Sequence, residues 1–280
     1  MPLVDFNGIL PQARAEGRAV CAFNVVNCET VTAVLQAAER EKQPVICQVF
    51  RRLFDTGKAH YVAALVRHLA EQTDLNVALH LDHGQTLKQI KQAIDYGFTS
   101  VMFDGSTLPY EENIKQTSVA VKLAHDAGLT IEGEVGHIPY TENDKTPLPT
   151  AQEVLEFANE TGVDALAAAV GTSHGFYKTA PVIQTDLAKE IGELVKIPLV
   201  LHGGSDTPDD KVQQVITSGF AKLNIATEFM AEFLHAVRDE IQTHGENFVP
   251  VDLFMDPIVN RISELAGRKI RLASMTQPVH

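Results

Sequence analysis

Short runs of apolar residues alternate along the chain with longer segments whose apolar positions recur every three or four residues, the pattern of strands and amphipathic helices in turn. The spacing predicts a first strand over Ala19 to Asn24 and a helix over Glu29 to Lys42, with Val31, Val34, Leu35 and Ala38 on one face. A second strand covers Val45 to Val49 behind Pro44, and a helix from Ala59 to Gln72 leads to a third strand, Val77 to Leu81. Thr86 is suited to cap a helix through Tyr96, which Gly97 ends. The fourth strand is Ser100 to Asp104; the helix from Glu111 to Ala127 stops at Gly128, and Thr130 to Val135 is the fifth strand. Thr150 caps a helix to Glu160, and Ala165 to Val170 is the sixth strand. Leu199 to Leu201 is the seventh, a helix runs from Pro208 to Thr217, and Ala221 to Ile225 is the eighth. Eight strands alternating with helices predict an α/β fold, a closed (β/α)8 TIM barrel, because parallel crossovers are right-handed and short. Beyond Thr227 the chain reads as extra C-terminal helices, Glu228 to Gln242 and Pro257 to Ala266, which extend the outer ring or an oligomer contact.

Length and composition narrow this picture. At 280 residues and 45% hydrophobic content the chain suits one large barrel, residues 1–280 as a single domain, and no linker or repeat divides it. A net charge of −13 argues against a nucleic-acid surface, although a local site can still bind an anion. No apolar stretch is long enough to cross a membrane and the N-terminus lacks a signal-peptide pattern, so the expected location is cytoplasmic. The cysteines, Cys21, Cys28 and Cys47, are odd in number and form no Cys-x-x-Cys spacing; buried free thiols are expected.

Chemistry concentrates at the strand ends. Asn24, Asp82, His83, Asp104, Glu134, His202 and Asn224 fall at or just past them, and His174 follows the sixth strand in Gly171-Thr172-Ser173-His174-Gly175. That rim is where such barrels carry their catalytic groups. Three imidazoles, His83, His174 and His202, converging from different strands suit zinc with an open position. Asp82 beside His83 is a candidate proton carrier, and His80 shares its strand face as a supporting partner. Gly203-Gly204-Ser205 and Asn224-Ile225-Ala226-Thr227 each precede a helix, where backbone N–H groups can hold a phosphate.

Six motifs carry a resemblance. His80-Leu81-Asp82-His83-Gly84, Phe103-Asp104-Gly105-Ser106, Glu132-Gly133-Glu134-Val135-Gly136, Val170 to Gly175, Leu201-His202-Gly203-Gly204-Ser205 and Lys222 to Glu228 resemble the class II, metal-dependent ketose-bisphosphate aldolases, the family of fructose- and tagatose-bisphosphate aldolases. The resemblance runs in register from Ala22 to Glu228. It implies zinc held by His83, His174 and His202, with Glu134 and Asp104 near an alternative metal position. It implies that Asp82 exchanges a proton with the oxygen at the carbon being cut. It assigns the dihydroxyacetone-phosphate half to Gly175, Gly203, Gly204, Ser205, Asn224, Ala226 and Thr227, with Asn24 nearby and a monovalent cation, sodium or potassium, as a further cofactor. Zinc would stabilise the enediolate without a Schiff-base lysine, and no lysine stands among the candidate ligands. A homodimer or homotetramer is the implied assembly.

The chain also departs from the family's pattern. The loop after the fifth strand, Gly136 to Asp144, has lost its glycines, and Glu142 is its candidate proton shuttle. The second strand runs into Phe50-Arg51-Arg52 where small polar residues are usual, and Arg51 becomes a candidate for the distal end of the sugar. Asp206 replaces a small residue in the phosphate turn; it either caps the following helix, binds a cation or substrate hydroxyl, or is neutralised by an arginine. These changes leave open a different phosphorylated ketose or a sugar acid as substrate. A metal-dependent sugar isomerase or epimerase, which needs two bases at one carbon, and a catalytically retired barrel are the readings outside the aldolases.

Overall fold

Strands buried on both faces need apolar or small residues on both sides, which is why these segments read as nearly continuous apolar runs. The structure is a computed structural model that describes residues 3–139, 147–179 and 181–276. Its strands are β1 (Val20–Asn24), β2 (Val45–Phe50), β3 (Val77–Gly84), β4 (Ser100–Phe103), β5 (Thr130–Val135), β6 (Ala165–Ala168), β7 (Leu199–Leu201) and β8 (Phe220–Ile225). They are parallel, follow one another in chain order and close by pairing of β8 with β1. Before β1 comes α1 (Leu10–Ala15), and between the strands come α2 (Cys28–Glu41), α3 (Arg52–Asp55), α4 (Ala59–Ala70), α5 (Leu87–Asp95) and α6 (Tyr110–Asp126). The second half adds α7 (Ala151–Thr161), α8 (Thr185–Leu194), α9 (Asp209–Ile216), α10 (Thr227–His244) and α11 (Val251–Ala273). The predicted TIM barrel and its C-terminal helices are therefore present.

Alternation along each strand divides the core in two. Outward residues such as Phe23, Leu79, Leu81, Ile131 and Leu223 pack under the helices. Many inward positions are small, with Ala22, Ala78, Ala165, Ala167 and Ala221 among them beside Val20, Ile46 and Val200, because an eight-stranded barrel leaves little interior width. Phe6 and Leu10, from the segment before β1, complete that inner cluster. The site at the strands' C-terminal ends thus stands on a filled interior.

Thr86 and Thr150 cap α5 and α7 through reciprocal bonds with Gln89 and Glu153, and Gly97 and Gly128 take left-handed φ of 78° and 75° after α5 and α6. Several expectations need correction. The short segments Phe6–Gly8 and α1, α3, and the whole of α8 were not anticipated. Pro257 does not start the last helix but lies within α11, whose packing outweighs the missing backbone donor. β3 continues to Gly84 rather than ending at Leu81, with a register shift against β4. Cys21 and Cys47 are buried but Cys28 is exposed, at the start of α2, and all three are free. Among the described residues no helix is long and apolar enough to cross a membrane.

Candidate active site

The extended end of β3 brings Asp82 and His83 onto the rim. His83 sits in the left-handed region at φ 53°, an unfavourable conformation for a residue with a Cβ that the bulge beside it imposes. The result is a histidine turned into the barrel mouth next to an aspartate. His174 and His202 face it edge-on, with ring centroids 5.1 and 4.8 Å from that of His83 and 5.8 Å from each other. One nitrogen from each of the three lies within 4.8 Å of the others.

Carboxylates fix two of these rings. Nδ1 of His83 is 2.8 Å from Oδ2 of Asp104, and Nε2 of His202 is 2.8 Å from Oε1 of Glu132. With those nitrogens donating, the remaining ones, Nε2 of His83 and Nδ1 of His202, confront each other at 3.1 Å. Two imidazole lone pairs at that separation require a cation between them, a proton or a metal ion. The surroundings press in the same direction. Burial alone would lower His83, but Asp82, Asp104 and Glu134 hold it up to about 9. Burial and His83 push His174 down to about 4 and hold His202 well below the usual imidazole range. Despite burial, the hydrogen bonds from His83 and Ser106 hold Asp104 well below the ordinary carboxylate range. Burial and the neighbouring Asp104 raise Glu134 to about 8.

Glu134 adds a second donor set. Its Oε2 is buried without a hydrogen bond, 3.9 Å from Nδ1 of His83 and 4.0 Å from Nδ1 of His202, and His83, Asp104 and Glu134 also form a compact group. The donors are imidazole and carboxylate only, a set that suits zinc or another first-row divalent ion. An orphaned carboxylate oxygen aimed at two imidazoles fits a bound cation.

Asp82 is held from one side. Nε2 of Gln48 donates to Oδ1 of Asn24 at 2.8 Å, and Nδ2 of Asn24 donates to Oδ2 of Asp82 at 2.7 Å. Oδ1 of Asp82 has no hydrogen-bond partner and lies 3.9 Å from Nε2 of His83. This leaves one carboxylate oxygen anchored and the other available at the mouth of a cavity of about 530 Å³.

The far side of that cavity is made of turns. Gly203, at φ 70°, could carry no Cβ without meeting the Ser173 carbonyl oxygen at 2.6 Å, and a Cβ on Gly204 would strike Leu223 and the Asn224 carbonyl. The Ser205 hydroxyl accepts from the backbone N–H groups of Ala226 and Glu228, which ties the β7 turn to the first turn of α10. Gly175, Gly203, Ser205, Asn224, Ala226 and Thr227 all line the cavity there. Backbone packed this closely at a helix N-terminus is suited to an anion.

Asp206 does something the sequence reading did not foresee. α9 begins behind Pro208 without a side-chain cap, so Asp206 does not cap it. At a left-handed φ of 60°, its Oδ2 instead accepts from the backbone N–H of Tyr177 at 2.9 Å. The Tyr177 hydroxyl accepts from the N–H of Ser173 and lies 3.0 Å from Oγ1 of Thr207, so these residues clasp the His174 loop to the β7 turn. Arg51 is not on the cavity wall, whereas Arg52 is. Glu142 lies outside the described residues.

A layer of charge beneath the rim escaped sequence reasoning. Lys222, fully buried in β8, donates to Oε2 of Glu132 at 2.8 Å. His80, stacked 4.8 Å from Phe6 and 3.0 Å from the Ser100 hydroxyl, has its Nε2 3.5 Å from the same carboxylate oxygen. The signal was available: Glu132 and Glu134 are two residues apart in one strand and so share the inward face, and a lysine in the apolar β8 needs a buried acid opposite.

The family model described as "Fructose-bisphosphate aldolase class-II" matches residues 4–277. A 6-phospho-5-dehydro-2-deoxy-D-gluconate aldolase of Halalkalibacterium halodurans is 38% identical over 277 residues, 97% of this chain and 96% of the relative. A sulfofructosephosphate aldolase of Alkalicoccus urumqiensis is 37% identical over 254 residues, 89% of this chain and 88% of the relative. Among solved structures, the YdjI aldolase from Escherichia coli K12 superposes with a TM-score of 0.87 at 30% identity, covering 97% of both chains. With the family model spanning nearly the whole chain and the rim residues gathered at one mouth, the protein belongs to the class II fructose-bisphosphate aldolases and is a carbon–carbon lyase.

Proposed function

We propose that the protein is a zinc-dependent aldolase that reversibly cleaves a phosphorylated ketose, of the fructose or tagatose 1,6-bisphosphate type or a related sugar acid, into dihydroxyacetone phosphate and an aldehyde. The observation that carries this reading is the convergence of His83, His174 and His202 beside an aspartate with one free oxygen. Zinc bound by the three imidazoles would polarise the ketose carbonyl and hydroxyl oxygens and stabilise the negative charge that develops as the bond breaks. Oδ1 of Asp82 takes the proton from the hydroxyl on the carbon that becomes the aldehyde, while Asn24 and Gln48 keep Oδ2 turned away. The Gly203–Ser205 turn and the first turn of α10 receive the phosphate of the dihydroxyacetone-phosphate half. A sugar isomerase would need a second base facing the same carbon, and among the described residues lining the cavity Asp82 is the sole carboxylate.

A coupled assay for triose phosphate release, run on ketose bisphosphates with and without a chelator, tests the reading. Chelator-sensitive release supports it; substrate isomerised without cleavage opposes it. The clasp over the phosphate turns gives a finer expectation. Tyr177→Phe removes the hydroxyl that holds Ser173 and Thr207, so KM for the phosphorylated substrate should rise about twofold to tenfold with a smaller change in kcat. A KM equal to that of the wild type would show that the clasp does not shape the turn.

A further inference from the structure

The β2 wall of the cavity carries positive charge with no acid paired to it among the described residues. β2 ends at Phe50, in register with Asp82, and the chain passes directly into α3, so Arg51 and Arg52 follow the ring at the rim. Their guanidinium carbons lie 5.5 and 5.3 Å from the Phe50 ring centroid, and that ring is 5.9 Å from the ring of His83. Arg52 is the one lysine or arginine among the described residues lining the cavity. The arginine ion pairs among the described residues involve Arg18, Arg40, Arg261 and Arg271, and neither Arg51 nor Arg52. Nη1 of Arg51 is moreover buried and makes no hydrogen bond.

Two guanidinium groups against one ring repel each other, and a buried donor without an acceptor costs free energy. In a chain of net charge −13, acids to relieve both are plentiful, yet none of the described residues forms an ion pair with either arginine. A bound anion meets both needs at once, since the arginine fork matches a planar or tetrahedral oxyanion.

We infer that Phe50, Arg51 and Arg52 form the subsite for the half of the substrate that leaves as the aldehyde, and that this half ends in an anionic group, a carboxylate, sulfonate or phosphate. The inference rests on the aldolase reading above. The phosphate turns of β7 and β8 then hold one end of the substrate and the two arginines the other, with Asp82 between them. Arg52 supplies the group that meets the anion from the cavity wall, and Arg51, behind that wall against the same Phe50 ring, adds its positive charge from the second layer. Phe50 keeps both cations from folding away and excludes water beside His83.

The test runs the reaction in the synthetic direction, with dihydroxyacetone phosphate and matched pairs of aldehydes: glyceraldehyde 3-phosphate with glyceraldehyde, succinic semialdehyde with butanal, and 3-sulfopropanal with propanal. The wild type should favour the anionic member of at least one pair by tenfold or more in kcat/KM, and the pair that responds identifies the group. Arg52→Gln and Arg51→Gln should each lose about tenfold to a hundredfold on that anionic aldehyde and distinctly less on its neutral match, with Arg52→Lys falling between. A wild type indifferent to charge in every pair overturns the inference, as do variants that lose equally on both members. Condensation of no aldehyde at all would defeat the aldolase reading itself, and this subsite with it.

Discussion

Replacing Asp82 by alanine is expected to slow carbon–carbon cleavage by about a thousandfold while each chain still binds its metal ion. The size follows from the work assigned to the carboxylate, since a positioned general base is worth on the order of a hundred to ten thousand in rate. Its retention of metal follows from geometry. The imidazoles of His83 and His202 are oriented by Asp104 and Glu132, not by Asp82, whose Oδ1 stands 3.9 Å from Nε2 of His83. Truncating Asp82 therefore removes the proton acceptor and leaves the donor set in place. His83→Ala, His174→Ala and His202→Ala should behave differently and lose metal and activity together. Metal analysis beside the triose phosphate assay separates the two classes of variant; an Asp82→Ala protein within tenfold of wild type would show that another group takes the proton.

The second large effect lies below the rim, where Glu132 and Lys222 are both fully buried. Removing one partner strands the other charge away from water, so Glu132→Gln and Lys222→Met are each expected to destabilise the fold by about 3 to 5 kcal/mol. The double variant leaves no stranded charge and should cost less than the sum of the two, which a double-mutant cycle in urea reads directly. Glu132→Gln should also weaken zinc binding by about tenfold to a hundredfold, because Glu132 is the acceptor that leaves Nδ1 of His202 facing His83. Single variants that each cost under about 1 kcal/mol would show the pair is not an anchor of the site.

The barrel was legible because its strands are apolar runs at regular spacing and its helix ends carry local signals, as Thr86 with Gln89 and Thr150 with Glu153 illustrate. The rim was legible because most of its candidate residues fall where an apolar run stops, with His174 in the loop beyond β6. What escaped depended on pairs distant in sequence. Glu132 and Lys222 are 90 positions apart, and each alone reads as a charge in an awkward place. Asp206 reads as a helix cap from its neighbours, yet a left-handed backbone turns its carboxylate toward Tyr177, 29 positions earlier. Arg51 and Arg52 are adjacent in sequence, and only the turn from β2 into α3 decides that Arg52 lines the cavity. α8 escaped because Asp186, Lys189 and Glu190 dilute a short apolar stripe of which only Ala188 and Ile191 are buried.

The central claim is that the imidazoles of His83, His174 and His202 hold a metal ion on which cleavage depends. Stripping the protein with a chelator and titrating zinc back, while following metal content and triose phosphate release, tests it most directly. The account predicts negligible turnover in the stripped protein and recovery that saturates at one zinc per chain, with no recovery in His202→Ala. Full turnover by metal-free protein would contradict it.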